Sequence, residues 1–127
     1  MRVQTRGLLV IGASIAQEDV NDYLQWHNCE HIPERLGTPG FHVAHRYRAF
    51  EESTRFLMVY ETNDAQVMKS EPYLYAQNHP TPWTRRNNAR FQRNFRGIYS
   101  LRTSMGARPA LDAPYACILR FNLPGEA

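Results

Sequence analysis

The sequence predicts an α+β fold built on an antiparallel sheet. Three observations predict it. Short apolar runs and helical patterns follow one another in the order β-α-β-β-α-β. The two central runs, FHVAHRYRAF (41–50) and RFLMVYET (55–62), are separated only by the polar turn EEST, which makes them a hairpin. The chain has 127 residues, 43% of them hydrophobic, which suits one domain spanning 1–127 with one core.

Each element has its own warrant. GLLVIGAS (7–14) is a short apolar run opened by a glycine and reads as the first strand. QEDVNDYLQWHNCEHIPERLG (17–37) reads as a helix, with Glu18 and Asp19 where the N-terminal dipole favours acid. Val20, Leu24, His27 and His31 recur at the spacing of one helix face, and Cys29 falls on the opposite side. Pro33 lacks a backbone donor and biases Ile32 away from helical geometry. The helix is therefore expected to break there, restart as PERL and stop at Gly37. TPGF (38–41) is turn material before the hairpin. NDAQVMKSEPYLYAQN (63–78) reads as a second, weaker helix interrupted at Pro72. HPTPW (79–83) reads as rigid loop, TRRNNAR (84–90) as loop or short helix, and FQRNFRGIYSLRT (91–103) as the fourth strand. A polar link leads to YACILRFN (115–122), a fifth strand-like run expected to pair at a sheet edge, its own or a partner's.

This order matches the ferredoxin-like split βαβ arrangement, with an extra C-terminal strand, in which two helices cover one face of the sheet. The hairpin carries apolar groups on both sides: Phe56, Met58 and Tyr60 alternate with Leu57 and Val59. Two apolar faces in an antiparallel sheet call for a second covering layer, and a partner's sheet in a homodimer supplies it most simply.

Composition narrows the function. The formal net charge of +3 is within the range that solubility alone explains, and arginine carries nearly all of the positive charge. Cys29 and Cys117 lie far apart with no knuckle spacing. The N-terminal apolar run is too short for a signal peptide or a spanning helix, so a cytoplasmic protein without a membrane partner is the plain expectation. Arg85, Arg86, Arg90, Arg93 and Arg96 interleave with Phe91 and Phe95, which invites a nucleic-acid reading. The RNA-binding sheet signature is absent, however, and a solvated arginine face or a grip on an acidic substrate accounts better for the run.

HNCEH (27–31) fits H-x-x-E-H, the zinc signature of the inverzincin proteases. That chemistry also needs a distant third ligand in a large enzyme, and 127 residues leave little room for it. His27 and His31 could share a metal with Glu30 or Glu34, but no third strong ligand has a fixed spacing, so no metal is expected.

The stretch WHNCEHIPERLGTPGFHVAHRYRAF resembles the EthD-like branch of the dimeric α/β-barrel superfamily. It does so through Trp26, Glu30, His31, Ile32 and Pro33, then the turn Pro39-Gly40-Phe41, then Arg46 and Tyr47. VYE (59–61) and TPWTRR (81–86) extend the resemblance, which spans roughly residues 7 to 103. It implies a dimeric α/β barrel, a hydrophobic small-molecule substrate and no cofactor. The chemistry it implies ranges over cyclisation, isomerisation, elimination and cofactor-free oxygenation. Longer relatives append a second ferredoxin-like unit, so here the dimer has to replace it.

The resemblance carries over His31 as the candidate acid/base. Glu30 or Glu34 could orient it, or could equally form an exposed face paired with Arg35. His27 is either a second catalytic group or a satisfied core histidine tying helix to strand. Trp26, Tyr47, Tyr60, Tyr73 and Trp83 are candidate substrate-binding residues, each joining an apolar body to a polar tip. A pocket walled by such rings suits an aromatic or polyketide-like ligand. Two rival expectations remain: a haem enzyme with His31 or His27 as axial ligand, and a non-catalytic small-molecule-binding protein.

Overall fold

A computed structural model describes residues 5–106 and 113–122. Its sheet has four antiparallel strands, β1 (Gly7–Ser14), β2 (Phe41–Arg48), β3 (Arg55–Thr62) and β4 (Gln92–Ser100), in the order β2-β3-β1-β4. This is the ferredoxin-like arrangement. The sheet is open, with β2 and β4 as its edges, so no barrel closes within one chain.

The helices lie on one face. α1 (Val20–Trp26) runs without a break through a π-helical turn (His27–His31) into α2 (Ile32–Leu36). The break expected at Pro33 is corrected by this geometry. The backbone N–H of Ile32 reaches back five residues to the carbonyl of His27. The widened turn ends immediately before Pro33, which occupies the second position of the α-helical segment that follows. In an uninterrupted α-helix the same proline would cost about 3 kcal/mol. The turn that absorbs it is the HNCEH string itself.

Pro72 is also a start and not an interruption. It lies in the first turn of α3 (Glu71–Asn78), capped by the Ser70 hydroxyl, which accepts from the N–H of Tyr73. The preceding Ala65–Lys69 forms a short 3-10 turn. α4 (Pro82–Ala89) follows the same rule: Thr81 caps it and Pro82 opens it.

The core lies between helices and sheet. Alternate residues of β3, namely Phe56, Met58 and Tyr60, turn into it and join Tyr23 and Trp26 of α1 in one cluster. Each such large side chain contributes about 2–3 kcal/mol by leaving water. Leu57 and Val59 face the other way, where the ring of Phe95 lies across Gly12.

Within one chain the expected fifth strand does not form. Residues 115–122 form no strand and pair with neither edge of the sheet. They engage the open face through side chains instead: the Arg120 guanidinium stands 3.5 Å over the Phe95 ring, and Tyr115 lies 5.5 Å from Phe50. Tyr115, Leu119 and Phe121 remain mostly exposed.

Candidate active site

The π turn delivers two histidines to the sheet side of the helix, and the structure gives them different surroundings. Their ring centroids are 5.8 Å apart. His27 is fully buried, with both nitrogens engaged: Nε2 lies 2.8 Å from the Tyr60 hydroxyl and Nδ1 2.8 Å from Nη1 of Arg46. Arginine only donates, so Nδ1 accepts and the Nε2–H donates to Tyr60. Burial, reinforced by the Arg46 charge, pushes the His27 pKa down to about 3. Burial also lifts the Tyr60 hydroxyl well above the ordinary tyrosine range. These contacts make His27 a clamp between helix and hairpin.

His31 is 6% exposed and hydrogen-bonds to no group among the described residues; its Nδ1 is sealed in without a partner. Its ring stacks on Trp26 at 4.5 Å between centroids, and Trp26 is fixed by donating from Nε1 to the Thr84 hydroxyl at 3.0 Å. Burial, then the charge of Arg35, then His27 push the His31 pKa down to about 2. The imidazole is therefore neutral at physiological pH. A buried, unpaired ring nitrogen costs about 1–3 kcal/mol, which a structural histidine normally avoids by finding a partner.

What His31 does border is a cavity of about 220 Å³ between helices and sheet. Leu9 and Ile11 of β1, Met58 of β3 and Phe91 give it an apolar lining, and Arg35, Tyr73 and Arg96 give it polar groups. Arg96 donates to the Tyr73 hydroxyl at 2.7 Å, and the Arg35 guanidinium stands 5.2 Å over the same ring. A larger hollow of about 440 Å³ opens on the opposite sheet face but holds no histidine.

The other candidate residues disperse. Glu30 accepts from Thr81 and Thr84, at 2.7 and 3.1 Å, and so fastens the π turn to α4. Glu34 pairs with Arg35 at 3.3 Å. Neither carboxylate hydrogen-bonds to His31, so the expected orienting contact is not made; the stacked Trp26 indole fixes the ring's plane in its place. Of the aromatic candidates, Tyr73 lines the cavity, Trp26 backs His31, and Tyr60 acts through His27. Tyr47 lines the hollow on the other face. Trp83 donates to Asp22 at 3.2 Å, bridging α1 and α4. Asp22 also accepts from Arg90 at 2.6 Å, the main reason its carboxyl titrates below the usual range.

Sequence reasoning did not single out Arg35 as a cavity residue or Arg46 as the partner of His27. Arg96 was visible only within the arginine run. The run itself is largely neutralised: Arg86 and Arg90 meet Asp22, and Arg93 meets Glu52. Among the described residues no group of three or more His, Cys, Asp or Glu could hold a metal ion. Haem does not fit either histidine. Both nitrogens of His27 are engaged, and the cavity beside His31 is smaller than the roughly 300–1,000 Å³ of drug- and cofactor-sized sites. Among the described residues no helix is long and apolar enough to cross a membrane.

No protein-family model matches the sequence, and no curated protein matches it either. The fold does have relatives among solved structures. A dimeric ferredoxin-like protein from an uncultured marine organism superposes with a TM-score of 0.65 at 11% identity, over 83% of this chain and 95% of that one. SnoaB, a cofactor-independent oxygenase from Streptomyces nogalater, gives 0.58 at 10% identity, over 82% and 100%. An antibiotic biosynthesis monooxygenase gives 0.55 at 14%, over 81% and 99%. At these identities the likeness establishes the shared fold.

Proposed function

We propose that this chain is a cofactor-independent enzyme of the EthD-like kind, acting on a hydrophobic aromatic or polyketide-like molecule held in the helix–sheet cavity. His31 is its acid/base. The observation that carries the reading is the His31 imidazole, more than nine-tenths buried, without a hydrogen-bond partner, on the wall of a cavity. The fold shared with a cofactor-independent oxygenase supports it.

The low pKa of His31 sets how it works. The neutral ring is a poor base towards water, but an anion forming on a substrate beside it stabilises the imidazolium, and low-dielectric surroundings strengthen that pair. Proton transfer is thus coupled to the presence of substrate. His27, Tyr60 and Arg46 hold the helix against the hairpin, and Trp26 holds the ring. The second copy expected in a homodimer covers the open sheet face bearing Leu57 and Val59; that a protein of the same fold is dimeric supports the homodimer.

The test is a panel of phenols, quinones, aromatic lactones and polyketide mimics, followed by product analysis with the wild-type chain and His31→Ala. Turnover that falls about 10²–10⁴-fold in the variant is the expected result. Turnover that persists in His31→Ala refutes the mechanism, and tight binding without turnover across the panel favours a binding protein.

A further inference from the structure

The cavity beside His31 has a chemical bias that the proposed function does not use. Its lining includes two guanidinium groups, Arg35 and Arg96, and no aspartate or glutamate. Arg35 is 7% exposed, and its one hydrogen-bond partner among the described residues is Glu34, at 3.3 Å. An arginine carries five N–H donors, so most of those on Arg35 are left unpaired by the protein. Arg96, at the exposed rim, has no carboxylate within salt-bridge distance among the described residues; it donates to the Tyr73 hydroxyl. Tyr73 is thus flanked by both cations, one at its hydroxyl and one over its face. Among the other arginines, Arg86 and Arg90 share Asp22 and Arg93 has Glu52, whereas Arg46 and Arg55 bond to uncharged partners.

Size adds a second limit. A cavity of about 150 Å³ lined by apolar side chains admits benzene, whereas drug-sized ligands occupy roughly 300 Å³ or more. At about 220 Å³, with Gln77, Asn88, Asn94 and Arg96 at an exposed rim, this cavity matches one substituted ring better than a fused multi-ring skeleton. The floor of Leu9, Ile11, Met58 and Phe91 would give a bare inorganic anion nothing to pack against.

We infer that the site selects a planar, single-ring oxyanion, the ionised form of an acidic phenol or enol. Its charged oxygen is held by Arg35 and Arg96, and its ring lies on the apolar floor with an edge towards His31. This rests on the cavity being the functional site and narrows the substrate class to one-ring acids. Arg35, which shares its charge with Glu34, and Arg96, at the exposed rim, still favour the ionised ligand, so the site lowers the pKa of a phenol that enters it.

The experiment uses 4-nitrophenol, whose ionised form absorbs at longer wavelength than its neutral form. The full chain is titrated at a pH where the free phenol is mostly neutral. 4-Nitroanisole and nitrobenzene serve as single-ring probes that cannot ionise. The expected result is a phenolate band that grows with binding, and an affinity at least about tenfold above that of either neutral probe. Arg96→Gln should remove the band and most of that preference, while Arg96→Lys, which keeps the charge, should retain much of both. Equal affinity for the neutral probes, or binding without the phenolate band, overturns the oxyanion inference and leaves the cavity as the site. Failure of all three probes to bind overturns both. A phenolate band that survives unchanged in Arg96→Gln and in Arg35→Gln removes the arginines from the argument.

Discussion

The two buried histidines should make this protein lose stability steeply below neutral pH. In the folded chain His27 and His31 have pKa values pushed down to about 3 and about 2, chiefly by burial. In the unfolded chain each returns to the ordinary value of about 6.5. Both folded-state values are depressed, so below pH 6.5 the unfolded chain binds protons that the folded chain refuses. The stability is fully present above that pH and drains away as pH falls towards the folded values. Each group contributes about 1.4 kcal/mol per pH unit once well below 6.5, so the pair removes roughly 4 kcal/mol between pH 7.5 and 5. That is a large share of the 5–15 kcal/mol typical of a domain. For His27 the geometry gives the same sign: a proton on Nδ1 would replace the accepted Arg46 hydrogen bond with two facing cations. Urea unfolding at fixed protein concentration, at pH 7.5, 6.5, 5.5 and 5.0, measures the slope. Wild type should lose roughly 4 kcal/mol over that range, and His27→Gln or His31→Gln each about half as much from its own lower starting point. A wild-type loss under about 1 kcal/mol, or variants with the wild-type slope, would refute the reasoning.

Other consequences follow from single contacts. Tyr60→Phe leaves the buried Nε2–H of His27 without its acceptor and should cost about 1–3 kcal/mol in urea unfolding. Gly40 has φ of 95°, and a Cβ there would lie 2.6 Å from Cγ2 of Val67. Gly40→Ala should therefore lower stability by about 1–3 kcal/mol, read as a fall in Tm. Val59→Asp places a charge on the open sheet face, away from the helices, and should convert the proposed homodimer to monomer in sedimentation velocity.

Much of this architecture was legible in the chain. Alternation in RFLMVYET sorts Phe56, Met58 and Tyr60 from Leu57 and Val59, and the structure keeps that division. The prolines were harder because the local rule sees only a lost donor. Pro33 is absorbed by widening one turn, and Pro72 and Pro82 sit behind capping hydroxyls where no donor is needed. Ser70 and Thr81 were the available signals for those two starts. YACILRFN has strand composition, but strand formation depends on an edge to pair with, and local propensity does not supply one. The histidine pair was visible at its helical spacing, yet its division of labour was not. Arg46 and Tyr60 come from two different strands to occupy His27, while His31 is left facing a cavity. Arg96 could have been assigned to the helix side by strand alternation with Asn94, since both line that cavity.

The central claim is that His31 moves a proton to or from a molecule in the helix–sheet cavity. Hydrogen–deuterium exchange at carbon tests it without knowledge of the full reaction. Single-ring phenols and cyclic 1,3-diketones are incubated in D₂O with the protein, and loss of the acidic C–H signal is followed by proton NMR. The account predicts exchange about 10²–10⁴-fold faster than in buffer for at least one such compound, lost in His31→Ala and retained in Glu34→Ala. Accelerated exchange that His31→Ala leaves untouched would contradict it.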